Sequence, residues 1–220
     1  MVKYDGAHHT LTLNERLRND LAFMSEYTRR EKQEVAGFLI RALHGGLGVV
    51  SPVLGKGLEV ELDSHEYLHK GEIYLGSFHC HTYTNFPSPH DMATFLADPT
   101  ERVSMVSGAD GSLTLALKTD ETQEIGLTEI PRIKDAYEQD ELPQLAEQYR
   151  FLYYHGKGER LTLTNKVKDR GEEAALDDVI RTIRGEEQLP ERSIKKIKKA
   201  SNPVTGLLDA RSWSRFRVGG

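Results

Sequence analysis

The sequence predicts an α+β fold, an α/β sandwich followed by a charged helical C-terminal extension. Two observations predict this class. Apolar residues recur at helical spacing near the N-terminus, and short apolar or alternating segments separated by turn residues follow up to about residue 125. With 220 residues, the chain is long enough for one sizeable core with an appendage.

The first predicted element is an amphipathic helix over residues 14–32. Leu17, Leu21 and Met24 recur at helical spacing, and Asn14 is suited to cap the N-terminus of the helix. Strands are predicted next, since apolar runs and alternating segments bounded by turn residues are typical of strands. They cover residues 34–43, 48–54, 58–62 and 72–81.

A short helix is predicted at residues 91–98, and a hairpin with the turn 109–111 is predicted from the strand-like segments 102–108 and 112–119. Beyond residue 125 the charged segments 132–155 and 172–199 resemble helices interrupted by Gly and Pro. The predicted organisation is therefore a core, a mainly helical extension and a basic flexible tail, over residues 1–125, 126–191 and 192–220.

Composition narrows the class of protein. No apolar run approaches the roughly 18 residues that cross a bilayer, so we expect no membrane partner. The first 20 residues lack the apolar segment of a secretory signal, and the single Cys80 cannot form an internal disulfide. Cys80 is expected to be a small buried side chain rather than a nucleophile. A cytoplasmic location fits these features.

The segment GSFHCHTYTNFPSPHD, residues 76–91, carries the candidate functional residues. His79 and His81 are two residues apart, so on a strand their imidazoles point to the same face. Ser88 is suited to cap a helix whose first turn contains Asp91. Two imidazoles and one carboxylate, with the fourth position left open, are typical of a catalytic zinc site.

A glutamate that could serve as the base of such a site occurs earlier, because Glu34 begins a predicted buried strand. With Gly37 and Leu39 it forms the pattern E-x-x-G-x-L, and residues 79–91 supply H-x-H followed by S-x-x-D. This combination over roughly residues 10–120 resembles the JAMM/MPN metalloproteases of prokaryotic type. The chain has Thr82 where the family usually has proline, and six residues between His81 and Ser88 where seven are more frequent.

The resemblance implies a mixed sheet flanked by helices and a Zn²⁺ ion bound by His79, His81 and Asp91. It also implies that Glu34 deprotonates the water that zinc activates and that Ser88 stabilises the oxyanion. The implied reaction is hydrolysis of the bond after the C-terminal Gly-Gly of a ubiquitin or ubiquitin-like protein. The implied partner is therefore a ubiquitin-like protein or its conjugates, whereas the oligomeric state and the bond type stay open.

Three alternatives compete with this interpretation. The motif H-E-x-x-H at His65 and His69 is typical of helical zinc proteases, but Gly71 would end such a helix too early. An inactive scaffold of the same fold is a second alternative, although inactive relatives lose metal ligands. Nucleic-acid binding through the basic tail is the third, and it is disfavoured because basic tails commonly face solvent or partners.

The tail is electrostatically distinct from the rest of the chain. Residues 192–220 contain eight Lys or Arg and one Asp, a net charge of +7, which leaves −12 for the remainder of a chain of net charge −5. The chain also ends in RFRVGG, which resembles the Gly-Gly tail that the family cleaves. A substrate-mimicking tail is therefore one hypothesis, and a frayed terminus is the favoured alternative.

Overall fold

The structure is a computed structural model that describes residues 9–41, 47–55, 72–129, 133, 141–165 and 174–185. Four α-helices and eight strands occur in these residues, together with a 3₁₀ turn at Leu127–Glu129. The helices are α1 (Glu15–Glu31), α2 (Pro89–Ala97), α3 (Leu142–Tyr149) and α4 (Ala174–Arg184). The strands are β1 (Thr10–Thr12), β2 (Val35–Arg41), β3 (Leu47–Leu54), β4 (Ile73–His81), β5 (Val103–Gly108), β6 (Ser112–Leu117), β7 (Leu152–Lys157) and β8 (Arg160–Leu163).

The strands form one mixed sheet in the order β1-β8-β7-β6-β5-β4-β2-β3. Strands β4 and β5 are parallel, and every other neighbouring pair is antiparallel. Parallel neighbours need a crossover, and here it runs from residue 82 to residue 102 and contains helix α2. The α+β class and the mixed sheet predicted from the sequence are therefore confirmed.

Helix α1 forms where the sequence predicts it. The Asn14 side chain accepts a hydrogen bond from the backbone N–H of Leu17 at 2.9 Å, which satisfies one of the free donors of the first turn. Leu17, Leu21 and Met24 are buried, as their spacing predicts. The predicted strands that begin at residues 34, 48 and 72 and the hairpin at residues 109–111 also appear, within a few residues of their predicted bounds.

Helices cover both faces of the sheet. On one face, apolar residues of α1 and α4 join alternate residues of the central strands in the larger core cluster. On the other face, α2 and α3 pack in a second cluster with Ala116 and Tyr153. Because neighbouring residues of β6 and β7 belong to different clusters, the sheet separates two apolar layers.

The interpretation of residues 132–155 as helical is wrong for the last part of that segment. Helix α3 ends at Tyr149, and residues 152–157 form β7, which pairs with β6 and β8. The short β1 and β8 have no predicted counterpart, although β1 completes one edge of the sheet. The division of the chain at residue 125 stays a prediction, while the sheet itself contains strands from both sides of that position.

Three predicted features lie outside the described residues: the strand at 58–62, the histidines His65 and His69, and the basic tail 192–220 with its terminal Gly-Gly. Among the helices that the structure describes, none is long and apolar enough to cross a membrane.

Candidate metal centre

Two histidines lie at the carboxyl end of β4, on the sheet face that also carries α2. His79 pairs with Ala36 of β2 and with Val106 of β5, and His81 follows at the end of the strand. Cys80, between them, is fully buried in the core cluster on the opposite face, where its Sγ lies 3.7 Å from Ser25 Oγ. The alternation of a strand therefore directs both imidazoles to one side, as the sequence predicts.

Asp91 is fixed by the first turn of α2. The Ser88 hydroxyl accepts a hydrogen bond from the Asp91 backbone N–H at 3.1 Å, and Asp91 Oδ2 accepts one from the Ser88 backbone N–H at 2.7 Å. This reciprocal pair is a capping box, and Pro89 occupies the first turn as predicted. Because both ends of the box are bonded, the Asp91 carboxylate is held close to β4.

The three side chains converge on one point. One ligand atom from each of His79, His81 and Asp91 can be chosen so that all three lie within 4.8 Å of one another. The shortest contacts are 3.4 Å between His81 Nε2 and Asp91 Oδ2, and 3.9 Å between His79 Nδ1 and Asp91 Oδ1. This cluster could hold a metal ion, and it is the one such group found among the described residues.

The tautomer of His81 is set by the loop that follows it. We name residues 82–88, between β4 and α2, the ligand loop. His81 Nδ1 lies 3.1 Å from the backbone carbonyl oxygen of Phe86. Since a carbonyl oxygen only accepts, Nδ1 must carry a proton, so Nε2 is the nitrogen that faces Asp91 and that can bind a metal once it is deprotonated.

Burial and neighbouring charges shift the pKa values of the three side chains in different directions. Burial favours the neutral form of His79 and lowers its pKa. Burial opposes ionisation of Asp91, but the His81 hydrogen bond and the charges of both histidines outweigh it, so the pKa of Asp91 is lowered. Burial likewise opposes the charge of His81, whose pKa is nevertheless raised by Asp91 and Glu34. An ionised carboxylate beside a neutral imidazole suits a cation.

Glu34 lies beside this cluster. It directly precedes β2, and since Val35 pairs with Cys80, the register places Glu34 across from His81. Its backbone carbonyl accepts a hydrogen bond from Gly55 at 2.8 Å. Burial raises the pKa of Glu34, the charge of His81 opposes this rise, and the charge of Asp91 adds to it. A half-buried carboxylate with a raised pKa is suited to accept a proton.

The structure therefore brings together the five predicted site residues, His79, His81, Ser88, Asp91 and Glu34. Their catalytic roles stay predictions. His90 is exposed, and its charge adds to the effect of burial in lowering the pKa of His79.

Sequence reasoning missed the residues that hold the ligand loop in place. Asn85 lies against Gly108 at the end of β5, where an added Cβ would come within 2.8 Å of the Asn85 Cβ. Phe86 stacks on His155 of β7. No spacing rule connects Phe86 with His155, because the two residues lie far apart in the chain.

A scan against protein-family models gives no match, and a search of curated proteins gives none either.

Proposed function

We propose that this chain is a zinc-dependent metallopeptidase or isopeptidase of the JAMM/MPN type. Its reaction would be hydrolysis of the bond after the C-terminal Gly-Gly of a ubiquitin or ubiquitin-like protein. The observation that carries the proposal is the convergence of His79, His81 and Asp91 beside Glu34. The substrate class rests on the resemblance of the motif, and the reaction type rests on the chemistry of the cluster.

The donor set fits zinc. Two imidazole nitrogens and one carboxylate oxygen are common ligands of catalytic zinc. Two ligands of a tetrahedral zinc lie about 3.3 Å apart, because each is roughly 2.0–2.1 Å from the ion. The 3.4 Å between His81 Nε2 and Asp91 Oδ2 matches that separation. The His79 side chain keeps 19% of its surface exposed, so this side of the cluster is partly open to solvent.

Bound zinc would polarise a substrate carbonyl and lower the pKa of a water molecule towards 7. The protein contributes a base, since Glu34 would take a proton from the attacking water and return it to the leaving amine. A raised pKa favours the first transfer, because it makes the Glu34 carboxylate a stronger base.

Ser88 would contribute an oxyanion donor. Its oxygen accepts the Asp91 backbone N–H, but this bond leaves the hydroxyl hydrogen free to donate. One side chain can thus cap α2 and stabilise negative charge that develops on the carbonyl oxygen of the substrate.

The test combines metal analysis with turnover. Wild-type protein should contain one zinc per chain, and it should cleave fusions that carry a ubiquitin-like protein ending in Gly-Gly, with activity lost on chelation and restored by zinc. Zinc binding without cleavage of any such fusion would favour the scaffold interpretation. Absence of zinc from protein loaded with the metal and dialysed would contradict the metal centre itself.

A further inference from the structure

The Phe86 carbonyl controls which nitrogen of His81 faces the metal position, so the placement of Phe86 matters to the centre. The ligand loop has two internal hydrogen bonds at this point. Thr84 Oγ1 donates to the Phe86 carbonyl at 3.0 Å and accepts a hydrogen bond from the Phe86 N–H at 3.0 Å. These bonds are local to the loop and do not fix it on the sheet.

A ring contact with a distant strand supplies that anchor. The rings of Phe86 and His155 are stacked, with centroids 5.5 Å apart and planes at 16°. His155 pairs with Thr114, which pairs with Val106, which pairs with His79. His155 therefore lies on the same sheet face as the ligands and three strands away, at roughly 14 Å. The ligand loop thus starts beside the histidines of β4 and reaches His155 on β7.

The Nε2 atom of His155 does not account for the position of this side chain. Its Nε2 is buried and makes no hydrogen bond with any residue that the structure describes. An unsatisfied buried nitrogen costs about 1–3 kcal/mol, so the favourable contact is the face of the ring.

We propose that His155 is a positioning residue of the metal centre, which holds Phe86 by ring stacking and so keeps its carbonyl on His81 Nδ1. The inference rests on the proposed metal centre. Groups that orient a metal ligand through a hydrogen bond typically change metal affinity by roughly 10–100-fold, and His155 acts one contact further out.

Zinc affinity tests the proposal, measured by competition with a chromophoric chelator. We expect His155→Ala to weaken zinc binding about 10-fold, at the lower end of that range. His155→Phe keeps a stacking ring without the unsatisfied nitrogen, so it should bind zinc as the wild type does and be at least as stable. The control is Lys157→Ala, on the same strand and face but with an exposed side chain, which should change nothing.

A second measurement needs no metal. In metal-free protein, hydrogen exchange of the amides of residues 82–88 should accelerate in His155→Ala and stay at the wild-type rate in His155→Phe. Unchanged zinc affinity in His155→Ala would overturn the inference, and so would unchanged exchange. So would loss of zinc affinity in His155→Phe as large as in His155→Ala, because the imidazole itself would then be required.

The two proposals fail in different ways. If the wild type binds no zinc, the proposed function is wrong, while the exchange measurement still tests whether stacking orders the ligand loop. If the wild type binds zinc and His155→Ala binds it equally well, only the positioning role is wrong.

Discussion

Asp91 and Glu101 are two carboxylates that lie at opposite ends of the β4–β5 pair and differ in proton affinity. Asp91 faces two imidazoles and accepts a backbone N–H, and its pKa is lowered in spite of burial. Glu101 is 3% exposed, and burial, the largest cause, raises its pKa to about 7. The same chemical group is thus stabilised as an anion at one end and as an acid at the other.

The pKa values of the two carboxylates differ because their hydrogen-bond donors and neighbouring charges differ. Ser77 donates to Glu101 Oε1 from both its backbone N–H, at 3.0 Å, and its hydroxyl. Lys118 donates its Nζ at 2.6 Å to the Asp98 carbonyl, and its charge lowers the Glu101 pKa by less than burial raises it. At Glu101, hydrogen bonds from neutral donors do not outweigh the effect of burial on the pKa. At Asp91, the hydrogen bond and the charges of the two imidazoles outweigh it, which indicates a site built to hold charge.

The largest expected effect comes from removing the charge at the Asp91 end. Asp91→Asn keeps the size of the side chain and an oxygen for the Ser88 N–H, but it removes the anionic ligand, so zinc content should fall from one per chain to near zero. Glu101→Gln, the same carboxylate-to-amide change at the other end, should keep its zinc. Elemental analysis of both variants checks this.

The alternative motif, H-E-x-x-H at His65 and His69, defines the result that would contradict this prediction. If Asp91→Ala keeps its zinc while His65→Ala or His69→Ala loses it, the metal lies at the H-E-x-x-H motif and the centre assigned here is wrong.

A smaller effect is expected when the charge of the base is removed. Glu34→Gln should lower kcat on a Gly-Gly fusion about 10³-fold or more, because the proton acceptor is lost while the shape is kept. Circular dichroism and zinc content should be unchanged. An active Glu34→Gln enzyme would show that Glu34 is not the base.

The third prediction concerns stability at the Glu101 end. The folded-state pKa of about 7 lies above the ordinary value of 4.5, so the folded protein holds this proton more tightly than the unfolded chain does. The free energy of unfolding should therefore fall as the pH rises from about 4.5 to about 7, by on the order of 3 kcal/mol at most. Urea denaturation of wild type and Glu101→Gln at about pH 5 and pH 8 measures it. The variant should lack this part of the pH dependence, and identical pH dependence in both proteins would refute the raised pKa.

The smallest effect is expected at Ser88. Ser88→Ala should reduce kcat roughly 10²-fold through loss of one oxyanion donor and destabilise the fold by about 1 kcal/mol through loss of the cap. Ser88→Gly separates the two effects, since glycine is an acceptable N-cap without a hydroxyl. If Ser88→Gly regains activity, the role of Ser88 is confined to the helix cap.

The features predicted correctly from the sequence are those that local rules determine. The position of α1 follows from its apolar spacing and from Asn14, and the common direction of His79 and His81 follows from the two-residue period of a strand. The capping box follows from Ser88 and Asp91. Each of these depends on residues a few positions apart.

The features that were missed depend on distant contacts or on an absent signal. The stacking of Phe86 on His155 and the environment of Glu101 arise only when strands far apart in sequence pair. Strand β7 was mistaken for helix because α3 is capped by Arg150, whose φ of 61° is the left-handed conformation that glycine usually adopts at a helix end. Since Arg150 carries no stop signal, the helical pattern continued into the strand.

The crossover between β4 and α2 has a consequence for the order of assembly. The three residues that could hold a metal ion all lie within positions 79–91, so closing the loop that brings them together costs little chain entropy. Glu34 and His155 join from remote strands, whose pairing closes much longer loops. During folding, the capacity to chelate an ion can therefore arise within one βα unit, before the strands that supply the base and the stacked ring have docked. A folding chain that has bound an ion at these three residues would then pair its remaining strands around a site that is already formed.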